Sequence, residues 1–358
     1  MQISLPARPA PLGTIVIVGT IASLLGALYS TLLIATLEPR IGREVWLEWV
    51  EIGTVLLRDS AIKIEPGWRE FAAGLVVHNG ADFLYGLGFF VLLSRWTWRF
   101  GPRLLLLSWP VWALATAWLE YYVILPIIGE TLQMQVPFWT SIFGHLSTTI
   151  VYPAFPWLRA HLTGQPVAGY RFARASAYAL GVLGLAAITT FGAAVSRGEL
   201  PGPIGPAAYD RTFLHHMTNH HDVGMYMARL VSDRGENPDV RTLGRLMVYE
   251  QFRQNVLMRR WWRAWFDSEL PSMPPGEWST MPGMPTPAEL NELEGLSGTA
   301  LDRRFLELMI PHHDGGVQMA RRAQLEASDP RIWILAATIR HPQRTQIARM
   351  RELSGRIR

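Results

Sequence analysis

Residues 213–229 read FLHHMTNHHDVGMYMAR and residues 305–321 read FLELMIPHHDGGVQMAR, identical at 10 of 17 positions with an offset of 92. The register continues without a gap to Arg259 and Arg351. It pairs Pro238 with Pro330, Leu243 with Leu335, Gln251 with Gln343, Gln254 with Gln346 and Met258 with Met350. Sixteen identities over 47 positions mark an internal duplication. Each copy reads as a helix, a short turn and a second helix opened by Asn-Pro or Asp-Pro, a capping residue followed by the residue best suited to the first helical position. Two copies supply four amphipathic helices, enough to close one bundle. The expected boundaries are 210–266 for the first repeat, 267–300 for a crossover loop and 301–358 for the second repeat.

Helical phase decides which side of each copy is buried. At about 100° per residue, Phe213, Met217, His220, Gly224 and Met227 fall on one stripe, and Phe305, Met309, His312, Gly316 and Met319 repeat it. His221 and His313 flank the stripe, while Asp222 and Asp314 point to the solvated side. On the second helices Met247, Gln251, Gln254 and Met258 form the inward row, matched by Ile339, Gln343, Gln346 and Met350. An unpaired buried polar group costs ~1–3 kcal/mol, which apolar side chains would avoid. Two explanations compete. One is a methionine-rich core in which each imidazole bonds a glutamine. The other is a soft-metal site, because thioether and imidazole together suit Cu(I) and, by extension, Ag(I). The metal reading takes His220, His312, Met217, Met227, Met309 and Met319 as ligands, with His221 and His313 beside them and His216 as an added donor. His215 is expected to face solvent, and His341, before Pro342, to lie at a surface or turn. The segment MPPGEWSTMPGM (273–284) places Met273, Met281 and Met284 in a Pro/Gly loop, read either as a flexible capture loop with exposed thioethers or as a loop packed over the bundle.

The run PGMPTPAELNELEGLSGTALDRRFLELMIPHHDGGVQMARRA (282–323), followed by SDP at 328–330, resembles the family known as domain of unknown function 305. The resemblance covers about residues 210–358. It implies a helical, ferritin-like, extracytoplasmic domain, copper binding or tolerance in some members, and roles for Met217, His220, His221, Met227, Met309, His312, His313 and Met319. Two departures stand out: Gln254 and Gln346 replace glutamates usual in the last helix, and His341-Pro342 is expected to interrupt that helix.

The residues before this duplication have another character. Over the whole chain of 358 residues, 49% are hydrophobic and 17% charged, against about 25% charged in ordinary soluble domains. Five apolar runs, 12–37, 71–94, 104–128, 136–158 and 172–195, meet the requirement of roughly 20 residues for a membrane span. The fourth carries Pro137, Pro153 and Pro156. Arg95, Arg99 and Arg103 follow the second run, and Arg159, Arg171 and Arg174 follow the fourth, with no acid in either loop. Arginine-rich loops belong inside, so the amino terminus is expected in the cytoplasm and everything after Val195 outside. The loop 38–70, with Trp46, Trp49 and Trp68, reads as an interfacial helix. A Pro/Gly linker at 197–209 separates a membrane domain (1–196) from the bundle (210–358).

The expected fold class is all-α: five membrane spans followed by a ferritin-like four-helix bundle made from a duplicated hairpin. Absence of cysteine excludes disulfides, thiolate metal sites and iron–sulfur clusters. A ferritin-type di-iron site needs Glu-x-x-His pairs, and none occurs in 197–358. The net charge of +4 comes from scattered arginines, which gives no nucleic-acid signal. His78 and Asp82 one turn apart, with Glu120 and His145, put ionisable groups at membrane depth, where they default to functional roles. The expected role is extracytoplasmic binding of copper, and of silver after it, for tolerance or delivery at the plasma membrane, with lipid and metal as partners and no reaction implied. The alternatives are a structural subunit of a membrane complex or a homo-oligomer, and an ion or metal transporter using the intramembrane cluster.

Overall fold

The computed structural model describes residues 10–43, 45–200 and 208–357. The centre of the expected linker, residues 201–207, and the side chain of Trp46 lie outside the described residues. All regular structure among the described residues is helical. Eleven α-helices of nine residues or more form there: α1 Leu12–Leu37, α2 Val45–Leu57, α3 Trp68–Leu87, α4 Pro102–Leu119, α5 Phe138–Thr149, α6 Phe155–Thr163, α7 Tyr170–Arg197, α8 Ala208–Arg234, α9 Pro238–Phe266, α10 Gly298–Glu326 and α11 Pro330–Arg356. They divide between two compact units, neither continuous in sequence. The first takes residues 1–35, 75–126 and 138–189; the second takes 36–74, 127–137 and 190–358.

Four stretches are long and apolar enough to cross a membrane, not five: Leu12–Arg40, Trp68–Leu92, Pro102–Ile128 and Tyr170–Arg197. The fourth expected span is two helices, because α5 ends at Thr149 and a 3₁₀ turn at Tyr152–Ala154 precedes α6. Pro153 and Pro156 lack the amide hydrogens that would carry α5 onward. Within the first unit the helices approach closely at small residues. A Cβ on Gly26 would meet the Thr148 carbonyl at 3.1 Å, and one on Gly86 would meet Ser23 at 2.8 Å. Phe89, Phe90, Tyr152 and Phe155 fill the interior with tilted and edge-on rings. Val182 and Leu185 face outward.

The second unit gathers two membrane-proximal segments with the four long C-terminal helices. Helix α2 packs against protein: Trp49 is 1% exposed and Val50 packs with Tyr249 of α9, whereas Trp68 remains 73% exposed. The acidic side of α2 finds its partner within the protein. Arg43 bonds Glu48 at 2.5 Å and Glu51 at 2.6 Å, all buried. Helices α8 and α9 form one hairpin, α10 and α11 the other, and α8 lies along α10. Asn237 and Asp329 cap α9 and α11 as the Asn-Pro and Asp-Pro signals require. Pro342 does not interrupt α11, which runs through it to Arg356. The cost of an internal proline is offset by packing against the segment 133–134, where Thr345 donates to the Met134 carbonyl and His341 to that of Gln133. His341 is therefore a helical, half-buried residue.

One pair of contacts ties the repeats together and was missed in the sequence. Buried Asp210 of α8 accepts hydrogen bonds from Ser328 N, Ser328 Oγ and Asp329 N in the turn of the second hairpin. Its equivalent 92 residues on, Asp302 of α10, accepts from Glu236 N and Asn237 N in the turn of the first. Each hairpin thus satisfies the exposed amides of the other's turn. Charge-assisted bonds of this kind contribute about 1.5–3 kcal/mol each. Asp302→Ala should therefore destabilise the helical domain by about 3 kcal/mol, measured by chemical denaturation of the purified chain; a loss below about 1 kcal/mol would mean that water replaces the carboxylate.

Candidate metal centre

The two hairpins meet where α8 crosses α10. His220 and His312 stack face to face there, with ring centroids 3.8 Å apart and planes 9° from parallel. Gly224 makes this approach possible, since a Cβ at that position would meet Gln251 Oε1 at 2.5 Å and His312 Nε2 at 2.9 Å. Gly316 likewise makes room for Gln343. The thioethers lie on both sides of the histidine layer. Met227, Met247, Met309 and Met350 belong to one apolar cluster, Met217 and Met258 to another, with half-buried Met319 packed against the latter. Met217 therefore shares an end with Met319, and Met227 with Met309, as antiparallel α8 and α10 demand.

His220, His221, His312 and His313 are fully buried, and their hydrogen bonding is incomplete in a repeated way. His221 Nε2 donates to Gln254 Oε1 and His313 Nε2 to Gln346 Oε1, both at 2.7 Å. His220 Nε2 donates to the Pro282 carbonyl at 3.3 Å. Every one of the four Nδ1 atoms lacks a hydrogen-bond partner, as do Gln251 Oε1 and Gln343 Oε1. His312 has no well-formed bond at Nε2 either; a weak interaction with the Gly283 backbone favours its protonated form slightly. Native interiors rarely leave such atoms unpaired without a water, an ion or a function to explain them.

Burial depresses the basicity of all four histidines, reinforced at His220, His221 and His312 by repulsion from neighbouring imidazoles. His220 falls to about 3, His221 and His313 to about 4, and His312 well below the ordinary imidazole value. All four are neutral at physiological pH, the form in which imidazole ligates a metal. The orientation of His313 has a further support. Gln346 Nε2 donates to Glu250 Oε2 at 2.7 Å, which turns Gln346 Oε1 towards the ring and fixes the proton on His313 Nε2. Glu250 is buried, and desolvation together with nearby Glu51 raises its pKa well above the usual carboxylate range.

The family model for Domain of unknown function (DUF305) matches residues 210–354. A DUF305 protein from Streptomyces coelicolor is 31% identical over 42% of this chain and 92% of its own, with a TM-score of 0.39. A DUF305 fragment from Deinococcus radiodurans is 30% identical over 42% and 99%, also with a TM-score of 0.39. The chain belongs to the DUF305 family. CopM in its Cu(I)-bound form is 26% identical over 41% of this chain and 96% of its own, with a TM-score of 0.36; Cu(II)-bound and Ag-bound forms of CopM match as well. No curated protein matches the sequence.

Within this DUF305 domain the loop packs over the bundle, the second of the two readings weighed for it, and does not present a capture surface. Met281 is buried and Met284 packs against the core, so neither is an exposed thioether, while Met273 is half-buried. The loop lies flat because glycines admit it: a Cβ on Gly315 would stand 1.9 Å from the Pro282 carbonyl, and Gly283 takes φ +77° against Pro311 and His312. His216 is not among the core imidazoles. It sits half-buried beside His215, 3.6 Å from Glu277, and His215 is half-buried too.

The first unit brings all four of its singled-out ionisable groups into contacts of their own. His78 Nε2 lies 3.2 Å from Asp82 Oδ2. His145 Nε2 lies 3.4 Å from Glu120 Oε2, which also accepts from Tyr85, while Thr116 bonds His145 Nδ1. Glu120 begins a π-helical turn, Glu120–Ile124, an irregularity often found at functional positions.

The depressed imidazoles have a measurable consequence. The unfolded chain takes up these protons near pH 6.5, the folded one only at about 3–4 for the three groups placed above. Stability is therefore full above pH 6.5 and declines as pH falls, by up to ~1.4 kcal/mol per pH unit for each imidazole. His220→Phe combined with His312→Phe should lose less stability between pH 7.5 and 5 than the wild type in thermal melts. Identical slopes would show that these two rings do not carry the acid sensitivity.

Proposed function

We propose that this chain is a membrane-anchored, extracytoplasmic binding protein for soft metal ions, copper first and silver second, serving tolerance or delivery. Its C-terminal domain is read as a ferritin-like bundle built from the duplicated hairpin. The observation that carries the proposal is the set of four buried, neutral imidazoles with unpaired Nδ1 atoms, flanked at both ends by thioethers. A borderline nitrogen donor beside soft sulfur favours Cu(I) and Ag(I) over hard cations. Copper and silver are also the ions named for CopM, which makes them the probes to use.

His220 would bind with Met217 and Met319 at one side of the layer and His312 with Met309 and Met227 at the other, and His221 and His313 stand beside them. Imidazole lone pairs lie in the ring plane, so two rings stacked in parallel do not converge on one point. Loading therefore requires at least one ring to turn out of the stack. The extracytoplasmic placement is supported by the make-up of the second unit, which collects 36–74, 127–137 and 190–358. The arginine distribution assigns these three segments to the outer face, and α5 with α6 would then return the chain through the bilayer.

Anaerobic Cu(I) competition titrations and Ag(I) titrations of the detergent-purified chain test this. His220→Ala with His312→Ala should remove at least one bound ion per chain. An unchanged stoichiometry would replace the proposal with that of a non-catalytic structural subunit. A second reading, an ion or proton path in the membrane, is favoured by the paired His78–Asp82 and His145–Glu120 contacts. Proton-coupled or metal uptake into proteoliposomes should then disappear in Asp82→Asn combined with His78→Ala; flux equal to that of wild type excludes the path.

A further inference from the structure

His215 and His216 exist in one repeat alone, since Glu307 and Leu308 occupy the equivalent positions of the other. Duplicated scaffolding therefore does not explain them. Both sit on α8, and Glu277 reaches them from the crossover loop, on the short helix Pro275–Trp278. One donor atom from each residue lies within 4.8 Å of the other two. His216 Nε2 is 3.6 Å from Glu277 Oε2, and the two imidazole rings are 5.7 Å apart at 54°. His215 is already oriented: its Nε2 donates to the Pro271 carbonyl at 3.0 Å, and its ring stands against Trp262. A proton held on Nε2 leaves Nδ1 with its lone pair, as in metal sites whose histidines are fixed by a backbone carbonyl behind them. All three residues are half-exposed, so an ion can arrive with open coordination positions filled by water.

We propose a second metal site at His215, His216 and Glu277, separate from the buried imidazole pair and suited to a borderline divalent ion, Cu(II) or Zn(II). Two nitrogens and one carboxylate oxygen without sulfur form the donor set that prefers these ions over Cu(I) and Ag(I). The site also has a position. His216 lies one helical turn before His220 on α8, and Glu277 precedes by a few residues the Pro282 carbonyl that bonds His220. An ion held there fastens the crossover loop to α8. The proposal does not depend on metal binding by the core.

Cu(II) titration of the tag-free, detergent-purified chain followed by EPR tests it, with Zn(II) titration calorimetry in parallel. One Cu(II) per chain is expected, with hyperfine structure from two imidazole nitrogens. Glu277→Gln, an exposed change that leaves the fold intact, should weaken the affinity by about tenfold or more, since even the loss of an outer-shell partner costs 10–100-fold. His215→Asn with His216→Asn should abolish the two-nitrogen signal, while His220→Ala with His312→Ala should leave it. Unchanged Cu(II) affinity and spectrum in the His215/His216 variant overturn the proposal, as does the absence of any stoichiometric Cu(II) or Zn(II) binding by the wild type. Loss of Ag(I) binding in the His220/His312 variant alone bears on the core and not on this site.

Discussion

Two imidazoles face each other 3.8 Å apart in an interior from which water is excluded, and the C-terminal helices are arranged around that contact. Such a stack is incompatible with charge on both rings, because two protonated rings at that distance would repel strongly in a medium of low polarity. Burial meets that condition by depressing all four basicities. The helices can come close enough for it because residue 224 is glycine. Reciprocal bonds from Asp210 and Asp302 then hold the hairpin ends where the crossing requires them. Neutrality, close approach and end-capping thus act on one geometry at three distances from its centre.

The polar atoms of this layer are distributed unequally. The outer pair, His221 and His313, have glutamine partners that orient them. The inner pair, His220 and His312, have a long bond to a loop carbonyl and a weak backbone interaction. The better-anchored rings resist turning, and the stacked rings are the ones free to change their pairing. The glutamine pairing weighed from the sequence thus holds for the outer histidines, and the central pair is under-bonded. The Gln346–Glu250 bond shows how an amide can stand at a position where the family resemblance suggests a carboxylate, with the acid displaced to the neighbouring helix.

Much of the helical domain was legible in the primary structure. The offset of 92 located both hairpins, Asn-Pro and Asp-Pro marked the openings of α9 and α11, and the 100° phase placed His220 and His312 inward. The structure departs from these readings most plainly at two proline-containing segments. Pro342 and the fourth apolar run both contain helix breakers, but α11 has a neighbouring segment to brace its irregular turn and the 149–153 region does not continue as helix. The acidic helix after the first span finds its partner in Arg43, which lies outside it in the chain.

By itself the sequence determined periodicity, duplication and donor chemistry, since all three are properties of residue type and spacing along one strand of chain. It placed each histidine on a face of its own helix. Only the tertiary structure decided which faces meet, that Met217 shares an end with Met319, that His216 leaves the core to join Glu277, and that the methionine loop packs inward. These outcomes depend on distances between residues remote in the chain, which close packing and hydrogen-bond satisfaction select together.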